Sequence, residues 1–183
     1  MRSSDLKKAF QILGGLFLCS SLAFAQSAVD YVQRGNADYT KGKYDQAILD
    51  YTRAIDIDPD FAKAYDNRGV AYAQEGNLSG AISDFTMAIA NNPNDAEAYN
   101  NRGRAYAKLG NYIPAVSDYD EAIKINPNYA KAYNNRAHVF YEIKKYNKAR
   151  ADVQKAQELG SPVNPDFLEE LSKVTDQSLL LKQ

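Results

Sequence analysis

The sequence predicts an all-α solenoid of four helix-turn-helix units, followed by a C-terminal capping helix. One set of Tyr, Arg, Gly and Ala positions recurs every 34 residues. Gly and Pro residues fall at the intervals where successive helices would end. Between them, apolar residues recur at the spacing of one helix face. A composition of 45% hydrophobic and 25% charged residues is ordinary for a folded globular protein.

The first 25 residues are predicted to be a secretory signal peptide that is cleaved after Ala25. Three basic residues precede a short apolar core, which ends in the small-residue sequence Ala23-Phe24-Ala25. The alternative is a retained membrane anchor, for which this apolar segment is short. Cys19 lacks the small residue that a lipoprotein signal places before its acylated cysteine, so lipidation is not expected. The predicted location is periplasmic or secreted.

Cleavage would change the charge and the reactive residues of the chain. Residues 1–25 carry three of the 22 basic and one of the 23 acidic side chains, so the mature net charge would be 19 − 22 = −3. The chain's one Cys would be removed and its one His, His138, retained. One Cys and one His are too few for a Cys/His zinc site or an intramolecular disulfide. We expect no metal and no cofactor. The negative charge disfavours nucleic acid as a partner.

The 34-residue period divides residues 28–163 into the units 28–61, 62–95, 96–129 and 130–163. A Tyr-x-x-Arg-Gly motif begins at Tyr31, Tyr65 and Tyr99, and its fourth copy ends in Ala137 in place of Gly. Four Ala residues keep the same register, at positions 47, 81, 115 and 149.

Each unit is predicted to contain two helices. In the third unit the first runs from Ala96 to Leu109 and ends at Gly110, a residue favoured after helix ends. The second runs from about Ile113 to Ile125 and ends before Asn126-Pro127, because proline cannot continue a helix.

A last helix is predicted after the fourth unit. Asn164-Pro165-Asp166 is typical of a helix start. One apolar face follows, formed by Phe167, Leu168, Leu171 and Val174. We interpret residues 164–176 as a helix that caps the fourth unit and residues 177–183 as a frayed tail.

Two rows of opposite charge recur with the units. An Asp follows each Arg of the repeated motif by 16 residues. We expect Arg–Asp ion pairs that link the two helices of a unit, because guanidinium and carboxylate match in a two-pronged geometry. The alternative is anion binding by the four Arg residues. The expected pairs are Arg34–Asp50, Arg68–Asp84, Arg102–Asp118 and Arg136–Asp152.

The repeated motif, with Gly or Ala at fixed places and Pro59, Pro93 and Pro127 at the unit ends, resembles the tetratricopeptide repeat. The first unit departs from it at Asp38, and the fourth at Ala137 and Lys144. The resemblance implies a right-handed solenoid whose first helices line a concave groove. It also implies a non-catalytic scaffold or assembly factor that binds another protein or peptide.

The register places polar side chains on that concave side. Asn67, Asn101 and Asn135 are in register with one another and with Gln33. An amide both donates and accepts hydrogen bonds, so it can pair with a peptide bond of any sequence. Similar asparagine rows hold peptide backbones in some tetratricopeptide proteins. The alternative is that these amides cap turns or are merely solvated. The predicted groove residues are Gln33, Asn36, Asn67, Asn101, Arg104, Asn135, His138 and Tyr141.

Tetratricopeptide co-chaperones grip a C-terminal carboxylate with two Lys, two Asn and one Arg, and this set is incomplete here. The matching residues in the first three units are Val32, Asn36, Asn67, Glu97 and Asn101. Those in the last three are Asp66, Val70, Asn101, Lys131 and Asn135. Glu97 or Asp66 would repel a bound carboxylate, so a terminal clamp is not expected.

Three alternatives to peptide binding remain open. The protein could self-associate through its terminal helices, which makes a homo-oligomer possible. It could be an accessory subunit of an envelope enzyme complex. It could itself be an enzyme, whose chemistry would then have to use His138. No stable membrane insertion is expected once the signal is cleaved.

Overall fold

The computed structural model describes residues 27–180, with side chains described as far as residue 174. The predicted signal peptide and Cys19 therefore lie outside the described residues. Residues 27–180 form nine α-helices and no strand. No helix in this range is long and apolar enough to cross a membrane. The helices are α1 Ala28–Thr40, α2 Tyr44–Ile57, α3 Ala62–Gln74, α4 Leu78–Asn91, α5 Ala96–Lys108, α6 Tyr112–Ile125, α7 Ala130–Glu142, α8 Tyr146–Glu158 and α9 Pro165–Leu180.

The first eight helices form four pairs with a common spacing. The first helices start at Ala28, Ala62, Ala96 and Ala130, which are 34 residues apart. Each pair turns through a residue with positive φ, a conformation that ends a helix and favours glycine. Gly110 has a φ of 75° in the third pair. Lys144 adopts a φ of 59° at the same place in the fourth pair.

Close approach of the two helices explains why the motif carries glycine. A Cβ atom on Gly103 would lie 2.8 Å from Cε1 of Tyr119, which is 1% exposed. Gly35 and Gly69 meet Tyr51 and Phe85 in the same way. The fourth pair has Ala137 instead, and the smaller Val153 stands in the register of those aromatic rings. The larger residue on one helix is therefore matched by a smaller one on the other.

The first helices of successive pairs lie on the inner side of the array. Contacts join α1 to α3, α3 to α5 and α5 to α7, in addition to the contacts within pairs and between neighbouring pairs. Elements on the inside of a curved stack approach each other more closely than those outside. We call the surface formed by α1, α3, α5 and α7 the groove.

The C-terminal helix α9 covers the end of the fourth pair and is longer than the sequence predicted. Phe167 and Leu171 are buried in a cluster with Val153 and Ala156 of α8. The helix continues to Leu180, four residues beyond the predicted end. Those four residues contain neither Gly nor Pro, and nothing in their sequence ends the helix at residue 176.

Candidate functional site

The Arg and Asp rows meet within each pair of helices. Arg102 donates from Nε to Asp118 Oδ2 at 2.9 Å and from Nη2 to Asp118 Oδ1 at 2.7 Å. The same two-pronged contact joins Arg34 to Asp50, Arg68 to Asp84 and Arg136 to Asp152. The Asp carboxylates occupy these guanidinium forks, so the geometry does not favour the alternative of anion binding by the Arg row.

Three of these arginines also donate a hydrogen bond to a side chain of the preceding unit. Arg68 donates from Nη1 to Thr52 Oγ1 at 3.0 Å, and Arg102 does so to Thr86 Oγ1 at 3.2 Å. Arg136 makes the corresponding bond to Asp120. Each guanidinium of the row also lies over the Tyr three residues before it, as at 5.6 Å for Arg102 and Tyr99. The row therefore holds helices within and between units.

The asparagine row forms hydrogen bonds between units along the groove. Asn67 donates from Nδ2 to Asn36 Oδ1 at 2.9 Å. Asn101 donates in the same way to Asp66 Oδ1 at 3.2 Å, and Asn135 to Asn100 Oδ1 at 2.8 Å. Each bond uses one of the two N–H groups of an amide. The side chains are thus fixed, and their second N–H and their carbonyl oxygen are not used by these bonds.

The register predicts the acceptors Asp66 and Asn100 on the concave side, but they are not in the set of predicted peptide-binding residues. They occupy one register position, immediately before the asparagine row, and are 2% and 3% exposed. Polar residues at a repeated position beside the row were the signal available in the sequence.

The two ends of this row of hydrogen bonds differ from its middle in the partners of the acceptor oxygens. Asn36 Oδ1 also accepts from the hydroxyl of Tyr51 at 2.8 Å. Burial raises the pKa of that Tyr51 hydroxyl to about 12, so it remains a donor. At the other end, the buried Oδ1 of Asn134 has no hydrogen-bond partner within the described part of the chain. Asn134 occupies the same repeat position as Asp66 and Asn100, which accept from an asparagine of the next unit. The fourth unit is followed by α9 instead of a fifth unit, so no such asparagine follows Asn134.

Two predicted groove residues contact the protein's own C-terminal helix. The ring of His138 stacks on Phe167 with centroids 3.9 Å apart, and Tyr141 meets Phe167 edge-on at 5.5 Å. Burial lowers the pKa of His138, although the Glu142 carboxylate opposes this, so the imidazole is neutral near pH 7. The other six predicted residues lie on α1, α3, α5 and α7 as expected from the register.

The groove is acidic towards its first units and basic near its centre. Asp66 lies 3.3 Å from Lys63 Nζ, which in turn is 4.0 Å from a carboxylate oxygen of Glu97. Burial raises the pKa of Asp66 and outweighs the opposing effect of Lys63. Arg104 and Lys108, both exposed on α5, line cavities on either side of that helix. In residues 27–180 no three His, Cys, Asp or Glu side chains are grouped to hold a metal ion.

Replacing Asp66 with Asn is expected to stabilise the protein at pH 7, by about 2 °C in Tm. Asn100 already serves as the acceptor at this register position. The pKa of Asp66 is higher in the folded protein than in the unfolded chain. Its protonated form therefore favours folding at low pH, and this contribution is lost as the pH rises through the folded-state pKa. The gain should therefore shrink towards pH 3.5. Thermal melts across this range measure it, and a variant less stable than the parent at pH 7 would contradict the account.

A stack of helix-turn-helix units with an inner polar groove is the architecture of a helical-repeat binding protein. Family models described as TPR repeat match residues 35–76 and 71–110. Models described as tetratricopeptide repeat match residues 96–129 and 118–151. The chain belongs to the tetratricopeptide repeat family. A search of curated proteins found no match.

Solved structures support the same assignment. The first TPR of Spaghetti (RPAP3), bound to the HSP90 peptide SRMEEVD, is 32% identical with a TM-score of 0.64, over 66% of this chain and 95% of that one. The second TPR domain of human RPAP3, in complex with the HSP70 peptide SGPTIEEVD, is 30% identical with a TM-score of 0.60, over 61% and 93%. MamA is 23% identical with a TM-score of 0.71, over 87% and 95%, and shows the fold alone.

Proposed function

We propose that the protein is a non-catalytic scaffold that binds an extended segment of another protein along the groove, in an exported compartment. The observation that carries the proposal is the row of Asn67, Asn101 and Asn135, held in register by hydrogen bonds between units. The peptide complexes of the similar RPAP3 domains support it.

The fixed amides suit a partner's backbone for a physical reason. A free amide side chain loses rotamer freedom when it binds, which weakens binding. Here that ordering has occurred on folding, because Asp66 and Asn100 already hold Asn101 and Asn135. Several such amides along one groove can pair with peptide bonds spaced along the bound segment, without contacting its side chains, as in other backbone-directed recognition.

A free C-terminal carboxylate is not the feature we expect to be recognised. Asp66 and Glu97 stand at two of the positions where a terminal clamp would need basic residues. Placing a carboxylate beside them would be unfavourable, since like charges repel. We therefore expect SRMEEVD to bind weakly and to gain affinity when its terminus is amidated.

The test is an array of random dodecapeptides, probed with the mature protein and followed by solution titration of the strongest binders. Replacing both Asn101 and Asn135 with Ala should weaken those binders about tenfold or more. The matched control replaces Asn111 and Asn147, two exposed asparagines outside the groove. Thermal melts must show both variants folded at the assay temperature, because loss of Asn135 also leaves the buried Asn100 oxygen unpaired. An array without binders, or equal binding by both variants, would overturn the proposal.

The exported compartment rests on the N-terminal sequence. A basic start, an apolar core and the Ala23-Phe24-Ala25 ending support export with cleavage. N-terminal sequencing of the protein from fractionated cells should give Gln26 as the first residue, in the exported fraction. A chain that still begins at Met1 inside the cell would contradict export.

Self-association is a second candidate that one observation favours. Asn134 presents an acceptor for which the described chain supplies no donor, and the first unit carries Gln33 at the register of the donating asparagines. If α1 of one copy stacked on the fourth unit of another, with α9 displaced, the Gln33 amide would be placed to donate to Asn134 Oδ1. Disulfide trapping between Gln33→Cys and Asn134→Cys, in a Cys19→Ser background, tests this contact.

A further inference from the structure

We propose that the segment bound in the groove carries an acidic side chain next to an apolar one, and that the acid lies against Arg104 and Lys108. The inference rests on the proposed function and names the chemistry of the partner. It concerns a side chain within the bound segment rather than the end of a chain.

The first observation concerns the positive charges of Arg104 and Lys108. Neither lies within ion-pair distance of a carboxylate in the part of the chain that the structure describes, whereas Arg102 on the same helix is paired with Asp118. Residues four apart on a helix lie side by side, so these two positive charges repel each other. A carboxylate placed between them would relieve that repulsion.

The second observation is the apolar surface on both sides of the pair. Between α5 and α7, a cavity of about 330 Å³ is lined by Arg104, Lys108 and the side chains of Tyr112 and Val139. A smaller cavity between α3 and α5 is lined by the same two cations with Val70 and Leu78. An acid at the cations would therefore have room for a neighbouring apolar side chain, and the larger cavity is the better fit.

The third observation is the position of the asparagine row. Asn101 lines the smaller cavity and Asn135 the larger one. A backbone that pairs with both amides borders both cavities, which Arg104 and Lys108 also line. The same bound segment can thus satisfy the row with its peptide bonds and the cations with one side chain.

The charges around the pair define where the acid can lie. Glu142 lines the larger cavity, so the surface is not uniformly basic and suits one acid rather than a polyanion. Asp66 and Glu97 make the earlier part of the groove unfavourable for a second acid. A nucleic acid, with a negative charge at every step, would meet these carboxylates and is disfavoured.

The test begins with the strongest binder from the dodecapeptide array, synthesised with an amidated C terminus so that only side chains supply carboxylates. Array binders should be enriched in Asp or Glu beside Val, Leu or Ile. Changing the peptide's acid to Gln should weaken binding about fivefold or more, and changing it to Lys should weaken it further. The difference should shrink as salt is raised, since exposed charges are screened.

Charge reversal of the protein makes the test specific. The double variant Arg104→Glu, Lys108→Glu should prefer the Lys peptide over the acidic one. The control Lys43→Glu, Arg150→Glu has the same net charge, with both changes outside the two cavities, and should keep the acidic preference.

The outcomes separate this inference from the proposed function. Equal binding of the acidic, Gln and Lys peptides that still depends on Asn101 and Asn135 would overturn the inference and leave the function standing. The inference would also be overturned, with the function intact, if only a peptide with a free C-terminal carboxylate depended on Arg104 and Lys108. Absence of any binding peptide would overturn both.

Discussion

Replacing Arg102 with Met is expected to destabilise the protein by about 3–5 kcal/mol. Asp118 is 5% exposed and receives both of its short bonds from this guanidinium. Methionine keeps much of the apolar stem but leaves a buried carboxylate without its partner, which is costly. The bond that Arg102 makes to Thr86 of the preceding unit is lost as well. Chemical denaturation followed by circular dichroism measures the loss.

Arg104→Met is the matched control, since Arg104 lies two residues away on the same helix and is exposed. A surface change of this kind should alter stability by no more than about 0.5 kcal/mol. The double variant Arg102→Met, Asp118→Leu should recover part of the loss, because it removes the unpaired charge. Equal stability of the Arg102→Met and Arg104→Met proteins would show that the Arg row does not support the fold.

Replacing Gly103 with Ala is expected to cost about 1–3 kcal/mol, although alanine is the better helix former. The added Cβ atom would lie 2.8 Å from Tyr119 Cε1 and 3.2 Å from the carbonyl oxygen of Ala115. The buried ring and the backbone must both shift to make room. The matched control is Gly80→Ala in α4, where the nearest atoms belong to the side chain of Asn77, which caps that helix by accepting from the Gly80 N–H at 3.0 Å. Gly80→Ala should cost no more than this cap, about 1 kcal/mol.

The fourth unit suggests how the clash can be relieved. It pairs Ala137 with Val153 where the third pairs Gly103 with Tyr119. Combining Gly103→Ala with Tyr119→Val should therefore be less destabilising than the sum of the two single changes, by about 1 kcal/mol or more. Strict additivity would contradict the claim that these two positions are fitted to each other.

Much of the fold could be predicted because it is encoded locally and repeated. Gly110 ends one helix and Pro127 follows the next, and each signal acts within a few residues of itself. α5 ends at Lys108 and α6 begins at Tyr112, each within one residue of the sequence prediction. The end of α9 was not predictable in this way, since no residue there breaks a helix.

The candidate site was only partly predictable, because its geometry depends on distances between units. The register indicated that Asn101 and Asn135 share a face, but not that Asp66 and Asn100 lie within hydrogen-bond reach of them. The contact of Phe167 with His138 depends on how α9 packs, and α9 lies outside the repeat. The repeat predicts the features that all units share, but not the contacts of a helix such as α9 that follows the last unit.

The most direct test of the groove is NMR of the asparagine side chains in the ¹⁵N-labelled mature protein, titrated with the strongest array peptide. We predict that the Nδ2–H signals of Asn101 and Asn135 shift and that their exchange with water slows, while those of Asn111 and Asn147 stay unchanged. Peptide binding that leaves the row unchanged, with shifts confined to α2, α4, α6 and α8, would contradict a groove that binds the partner's backbone.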